Sequence, residues 1–132
     1  MAARLLARAA RTEADLEERL VGLGYRRETA AAAVARCREL GWVGDAAYAR
    51  ERARALRARG AGSLKIEADL AARGLPAPLI ASAVEESREG EPEIVWARRA
   101  LHPHRDRRRA WRFLSTRGFS DDVLADLLGD LE

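Results

Sequence analysis

The chain has 132 residues, with 24 Lys and Arg against 21 Asp and Glu for a formal charge of +3, a length that allows one domain burying roughly two thirds of its unfolded surface without disulfides or metals. Alanine, leucine and arginine dominate while β-branched residues are scarce, which excludes sustained strands and makes an all-α chain the expectation. No apolar run reaches the roughly 18 residues of a membrane span, and MAARLLARAAR lacks the apolar core of a secretion signal, so a cytoplasmic protein without a membrane partner is expected.

The first helix is expected over Ala3–Arg11. Thr12 caps a second, with Asp15 as a weak capping box, which puts Leu16, Leu20 and Leu23 on one face and stops at Gly24. Glu28 opens a third helix to about Leu40. Cys37 falls on its apolar pattern; as the only cysteine it can form no intrachain disulfide, and a buried thiol in a reducing cytosol is the ordinary reading.

From Asp45 the same signals return: a helix to Arg59, a turn at Gly60 and Gly62, a helix from Ser63 to Arg73 that buries Ile66 and Leu70 and stops at Gly74, and a helix opened by Pro78 to about Ser87. A third round opens at Pro92, passes Ile94 and Trp96 to Leu101, breaks at His102, Pro103 and His104, and resumes over Arg107–Arg117. Ser120 caps the last helix, with Asp121 and Asp122 where the helix dipole favours them.

Offsets of 50 and 94 residues superpose the rounds. Leu16 then meets Ile66 and Ala110, Leu20 meets Leu70 and Leu114, and Gly24 meets Gly74 and Gly118. Tyr25, Leu75 and Phe119 follow, then Val34, Val84 and Leu128. An internal repeat of this length means stacked units that cannot bury their apolar faces alone. The expected boundaries are residues 1–43, 44–90 and 91–132, in an elongated stack of three tandem three-helix repeats.

Basicity comes almost wholly from arginine, since Lys65 is the only lysine. Guanidinium suits bidentate contacts to carboxylate or phosphate, although a GC-rich genome also enriches arginine. Arg50, Arg54 and Arg57 are expected on a solvent-side stripe of their helix, away from Ala49, Ala53 and Leu56. Arg108 and Arg112 form a second pair at i and i+4, with Arg105 just before it, and Lys65 and Arg73 flank the first cluster. The functional reading is a grip on an acidic protein surface or on phosphates; the bland one is a solvated face paired with local acids such as Glu51 and Asp69. Trp42, Tyr48 and Trp96 read as repeat-packing residues. Trp111, at the edge of an apolar arc beside Arg108 and Arg112, is a candidate for stacking on a partner.

His102 and His104 do not make a metal site, because zinc takes three or four ligands and Cys37 is far upstream. There is no Gly-rich phosphate loop and no nucleophile elbow. No cofactor, small-molecule substrate or catalytic constellation is expected.

Gly41, Asp45, Tyr48 and Ala49 ahead of a basic helix, the turn Arg59-Gly60-Ala61-Gly62, and the final Arg117-Gly118-Phe119-Ser120, in that order over nearly the whole chain, closely resemble the RecX family, regulators of the RecA recombinase. The chain departs from the family pattern at Ala61 and Ser63, where an aromatic and often a proline are expected, and at Gly44, where the family has an acidic or polar residue. The short N-terminus implies that an extra leading segment of relatives is lacking. The resemblance implies a curved, monomeric three-repeat solenoid lying in the groove of the RecA filament. It also implies a non-enzymatic role: suppression of strand exchange, ATP hydrolysis and RecA-stimulated repressor cleavage, with only weak DNA contact of its own. The alternative is a DNA-binding regulator of helix-turn-helix type that sets an arginine-rich helix in a groove, against which the chain contains no asparagine or glutamine to read adenine.

Overall fold

The computed structural model describes residues 13–41, 45–101 and 106–129. The helix expected over Ala3–Arg11, the cap at Thr12, Trp42, Gly44, the break at His102–His104, Arg105 and the last three residues of the acidic tail lie outside the described residues. Every regular element among the described residues is an α-helix: α1 (residues 13–22), α2 (Arg27–Glu39), α3 (Asp45–Ala58), α4 (Ser63–Ala72), α5 (Ala77–Ser87), α6 (Glu93–Ala100), α7 (Arg107–Thr116) and α8 (Asp121–Leu128). The fold is all-α and built of tandem helical repeats, as expected.

The repeat is physical as well as sequential. Gly24, Gly74 and Gly118 all adopt the left-handed conformation, at φ 104°, 81° and 98°. After each glycine the next residue donates its N–H back to the leucine carbonyl of the preceding helix: Tyr25 to Leu20 at 3.1 Å, Leu75 to Leu70 at 3.3 Å and Phe119 to Leu114 at 3.2 Å. That bond closes the helix end and turns the chain toward the next helix, and a left-handed residue that is not glycine would be strained there. The superposed positions Leu16, Ile66 and Ala110 are all buried, as are Leu20, Leu70 and Leu114. Ser120 caps α8 through a bond from Val123 N–H, and Asp106 caps α7 through one from Arg109 N–H.

Three apolar clusters follow one another along the chain. The first joins Leu16, Leu20, Ala30, Val34 and Cys37 to Ala46 of α3 and Leu79 of α5. The second is Ala49, Ala53, Ala61, Ile66, Leu70, Ala83 and Val84. The third is Ala97, Leu114, Phe119 and Leu124, with Trp96 and Trp111 packed against it. Because Ala46 and Leu79 complete the first cluster, the opening helices do not bury their apolar surface alone.

The second and third units meet at backbone level. Gly62 donates its N–H to Arg117 O at 2.7 Å, and Leu64 donates to Gly118 O at 2.9 Å. A methyl group on Gly62 would lie 2.5 Å from the Gly118 carbonyl, and one on Gly118 would collide with Lys65. The N-terminus of α4 is thus set against the carbonyls that end α7, a favourable meeting of opposite helix-dipole ends.

Two sequence expectations fail. Arg57 is not on the solvent stripe; it is buried, at 2% exposure. The reason is its register, one turn beyond Ala53 and two beyond Ala49, so it continues the buried stripe. Tyr48 is not a packing residue either, since it is 45% exposed and its hydroxyl accepts from Arg73 Nη1 at 2.8 Å.

Candidate partner-binding surface

The arginines singled out by the sequence divide into those already neutralised inside the molecule and those facing solvent. Arg50 is half-buried, with Nε 2.9 Å from Glu86 Oε2, while Arg19 Nη2 lies 3.0 Å from Oε1 of the same carboxylate. Glu86 therefore ties α1 and α3 to α5, at the joint between the first and second units. The groove beside it, about 360 Å³, is lined by Glu85, Glu86 and Glu89 as well as Arg19, so it does not favour anions. Arg54 points outward and makes a 3.4 Å contact to Glu89. Both side chains are mostly exposed, and such a pair holds an arginine only weakly.

Arg73 is held by Asp69 at 3.0 Å. Asp69 also receives a bidentate fork from Arg52, Nε to Oδ2 and Nη2 to Oδ1, both at 3.0 Å. The hydrogen bonds from Arg52, supported by Arg73, hold the Asp69 carboxyl down at about 2. Lys65, Arg108 and Arg112 are exposed and make no ion pair among the described residues, and the same is true of Arg59 and Arg98. Arg112 borders a shallow depression with Arg109, Phe113 and Thr116. Trp111 is half-buried against the third cluster. Arg105 lies outside the described residues.

Arg57 belongs to a different site, one the sequence reading missed. Its Nη1 donates to Glu93 Oε1 at 2.9 Å and to Ala61 O at 3.4 Å, its Nη2 to Ser63 Oγ at 2.8 Å, and its Nε to Ser87 Oγ at 3.2 Å. Glu93 in turn accepts Ser63 Oγ–H at 2.6 Å and Ser63 N–H at 2.8 Å. Burial pulls the Arg57 guanidinium below its ordinary range, and Glu93 opposes that pull. The Trp96 indole N–H, 2.9 Å from Arg88 O, closes the same joint, and the Arg99 guanidinium sits 4.9 Å from the Trp96 ring. The signal was present in the i, i+4 series Ala49, Ala53, Arg57, a cation in an apolar register that calls for a buried acid. Nothing local to α3 names that acid as Glu93, which comes from α6.

Two family models cover most of this architecture. Residues 1–37 match the first three-helix domain of RecX, and residues 45–84 match the second. Regulatory protein RecX of Thermus thermophilus is 39% identical over 119 residues, which is 89% of this chain and 80% of that protein. The chain belongs to the RecX family. Other RecX regulatory proteins match over similar lengths: that of Stenotrophomonas maltophilia is 32% identical over 91% of this chain and 78% of its own length. That of Chromohalobacter salexigens is 32% identical over 89% and 82%. No solved structure matches the chain. The RecX relatives carry the name of regulators, and the all-α repeats fit the three-helix domains by which the family is described. Among the described residues no helix is long and apolar enough to cross a membrane, and no group of three or more His, Cys, Asp or Glu side chains is placed to hold a metal ion.

Proposed function

We propose that this protein is a non-enzymatic regulator that binds RecA nucleoprotein filaments and restrains ATP hydrolysis, strand exchange and co-protease activity. The observation that carries the proposal is family membership over about nine tenths of the chain, joined to exposed cations on successive repeats. Stacked units suit a helical polymer, because contacts repeated along the stack can each meet a different subunit. In this reading three repeats, residues 1–43, 44–90 and 91–132, form a curved monomeric solenoid. Lys65, Arg108 and Arg112 are its leading partner contacts, being exposed and unpaired among the described residues. Arg54 is next, Arg105 belongs with the third-repeat pair, and Arg50 and Arg73 contribute only by leaving Glu86 and Asp69. Arg57 is not part of this set.

The alternative, a helix-turn-helix reader of duplex DNA that sets the arginine-rich helices in the groove, is disfavoured because the chain has no asparagine or glutamine to read adenine. Of the helices that follow the glycine turns, α5 (APLIASAVEES) and α8 (DDVLADLL) carry acids and no Lys or Arg, whereas α2 carries Arg27, Arg36 and Arg38.

Co-sedimentation separates the two. The protein should pellet with RecA filaments near physiological salt and bind bare duplex only weakly, with a steep salt dependence. Tight, sequence-dependent binding to bare duplex with no pelleting on filaments would reverse the assignment.

A further inference from the structure

Three consecutive N–H groups at the start of α4 find their acceptors in the third unit: Gly62 on Arg117 O, Ser63 on Glu93 Oε2 and Leu64 on Gly118 O. A helix normally satisfies these groups from its own N-cap side chain or from water. Here the N-cap is Gly62, which has no side chain to offer. The carboxylate that replaces it stands on the first turn of α6, some thirty residues away in sequence, and the same carboxylate takes the buried Arg57.

We infer that Glu93 is a positioning residue that fixes the second unit against the third, by capping α4 from outside and neutralising Arg57, so that Lys65 and the α7 arginines keep one register toward a partner. The inference rests on the proposed filament binding only for its consequence; the joint itself stands on the geometry. The bonds to Arg57 and to Ser63 cross from one unit to the next and need both docked; the 3.3 Å contact from Arg88 Nε, five residues back, is local. The carboxylate therefore couples the fold of α4, the burial of Arg57 and the placement of α6 into a single arrangement. Loss of the carboxylate leaves the α4 N-terminus short of an acceptor and Arg57 buried without its counter-charge.

The test is a nitroxide pair at Ala55→Cys and Ser115→Cys, exposed positions on α3 and α7, in a Cys37→Ala background, read by pulsed dipolar spectroscopy. The parent protein should give one narrow distance distribution, and Glu93→Ala should widen it about twofold. An unchanged width would overturn the inference. Glu93→Gln keeps an acceptor for Ser63 N–H but loses the counter-charge to Arg57, so its width should fall between those of the parent and the alanine variant; a width equal to that of the alanine variant would overturn the capping role. If Glu93→Ala loses helix content by circular dichroism, the pair is read in Arg57→Met/Glu93→Ala, which buries no lone charge and still lacks the cap. Widening is again expected, and no widening overturns the inference.

Inhibition of RecA by the same proteins separates this joint from the proposed function. Glu93→Ala should need about tenfold more protein for half-inhibition, as contacts lose their common register. Widening with unchanged inhibition would overturn the link between the joint and binding. A parent protein that does not inhibit RecA would refute the proposed function and leave the distance result standing.

Discussion

Arg54 and Arg57 stand three residues apart on α3 and have opposite fates. Arg57 is sealed among Glu93, Ser63, Ser87 and the Ala61 carbonyl, whereas the Arg54 side chain is 65% exposed. Arg57→Ala removes the buried partner of Glu93, which keeps Ser63 and Arg88, and leaves a void, so it should cost at most about 3–5 kcal/mol in urea denaturation, against less than about 1 kcal/mol for Arg54→Ala. Asp69 supplies a pH signature. Its folded value of about 2 lies below the ordinary 3.8, so its contribution is present above pH 3.8 and fades as pH falls toward 2. Asp69→Asn should flatten that part of the acid stability profile; a profile unchanged by the substitution would contradict the Arg52 fork. At this scale the sequence was readable for exposed cations such as Arg108 and misleading for Arg57. A helical register predicts which face a residue shares, but whether a cation there is solvated or buried depends on an acid from another element. Arg57 belonged with Ala49 and Ala53, and only α6 reveals why a charge is tolerated there.

The helices themselves were the most legible level. Apolar spacing, Pro92 before α6, Ser120 before α8 and the glycines after α1, α4 and α7 mark their ends to within about a residue or two. The turn Gly60-Ala61-Gly62 was recognised as a motif without its reason. Gly62 and Gly118 are small because two backbones meet there, and sequence offset alone cannot place Gly62 beside a glycine 56 positions later. The structure makes the glycines unequal. Gly74→Ala meets no atom within 4 Å and should cost about 1 kcal/mol, from backbone strain alone. Gly118→Ala adds a collision with Lys65 to a similar φ of 98°. Its loss in thermal or urea unfolding should be clearly larger; equal losses would argue against a close junction between α4 and α7.

For the whole molecule, shared cores and a bridged joint make the units depend on one another. Glu86 links the first two, and Glu93 with the Gly62–Gly118 contact links the last two. The order of repeats was evident from Leu16, Ile66 and Ala110 recurring with their glycines, but the joints were not, because they are made by charges and backbone with no periodic signature. Among the described residues Lys65, Arg108 and Arg112 stay exposed outside those joints, and Arg54 is held only weakly, by Glu89. The direct measurement is the ATPase of RecA on single-stranded DNA with and without the protein carrying Arg54, Lys65, Arg108 and Arg112 all changed to Glu. With helix content and melting unchanged, that variant should lose inhibition by about tenfold or more, whereas a variant that inhibits as strongly as the parent would contradict the account.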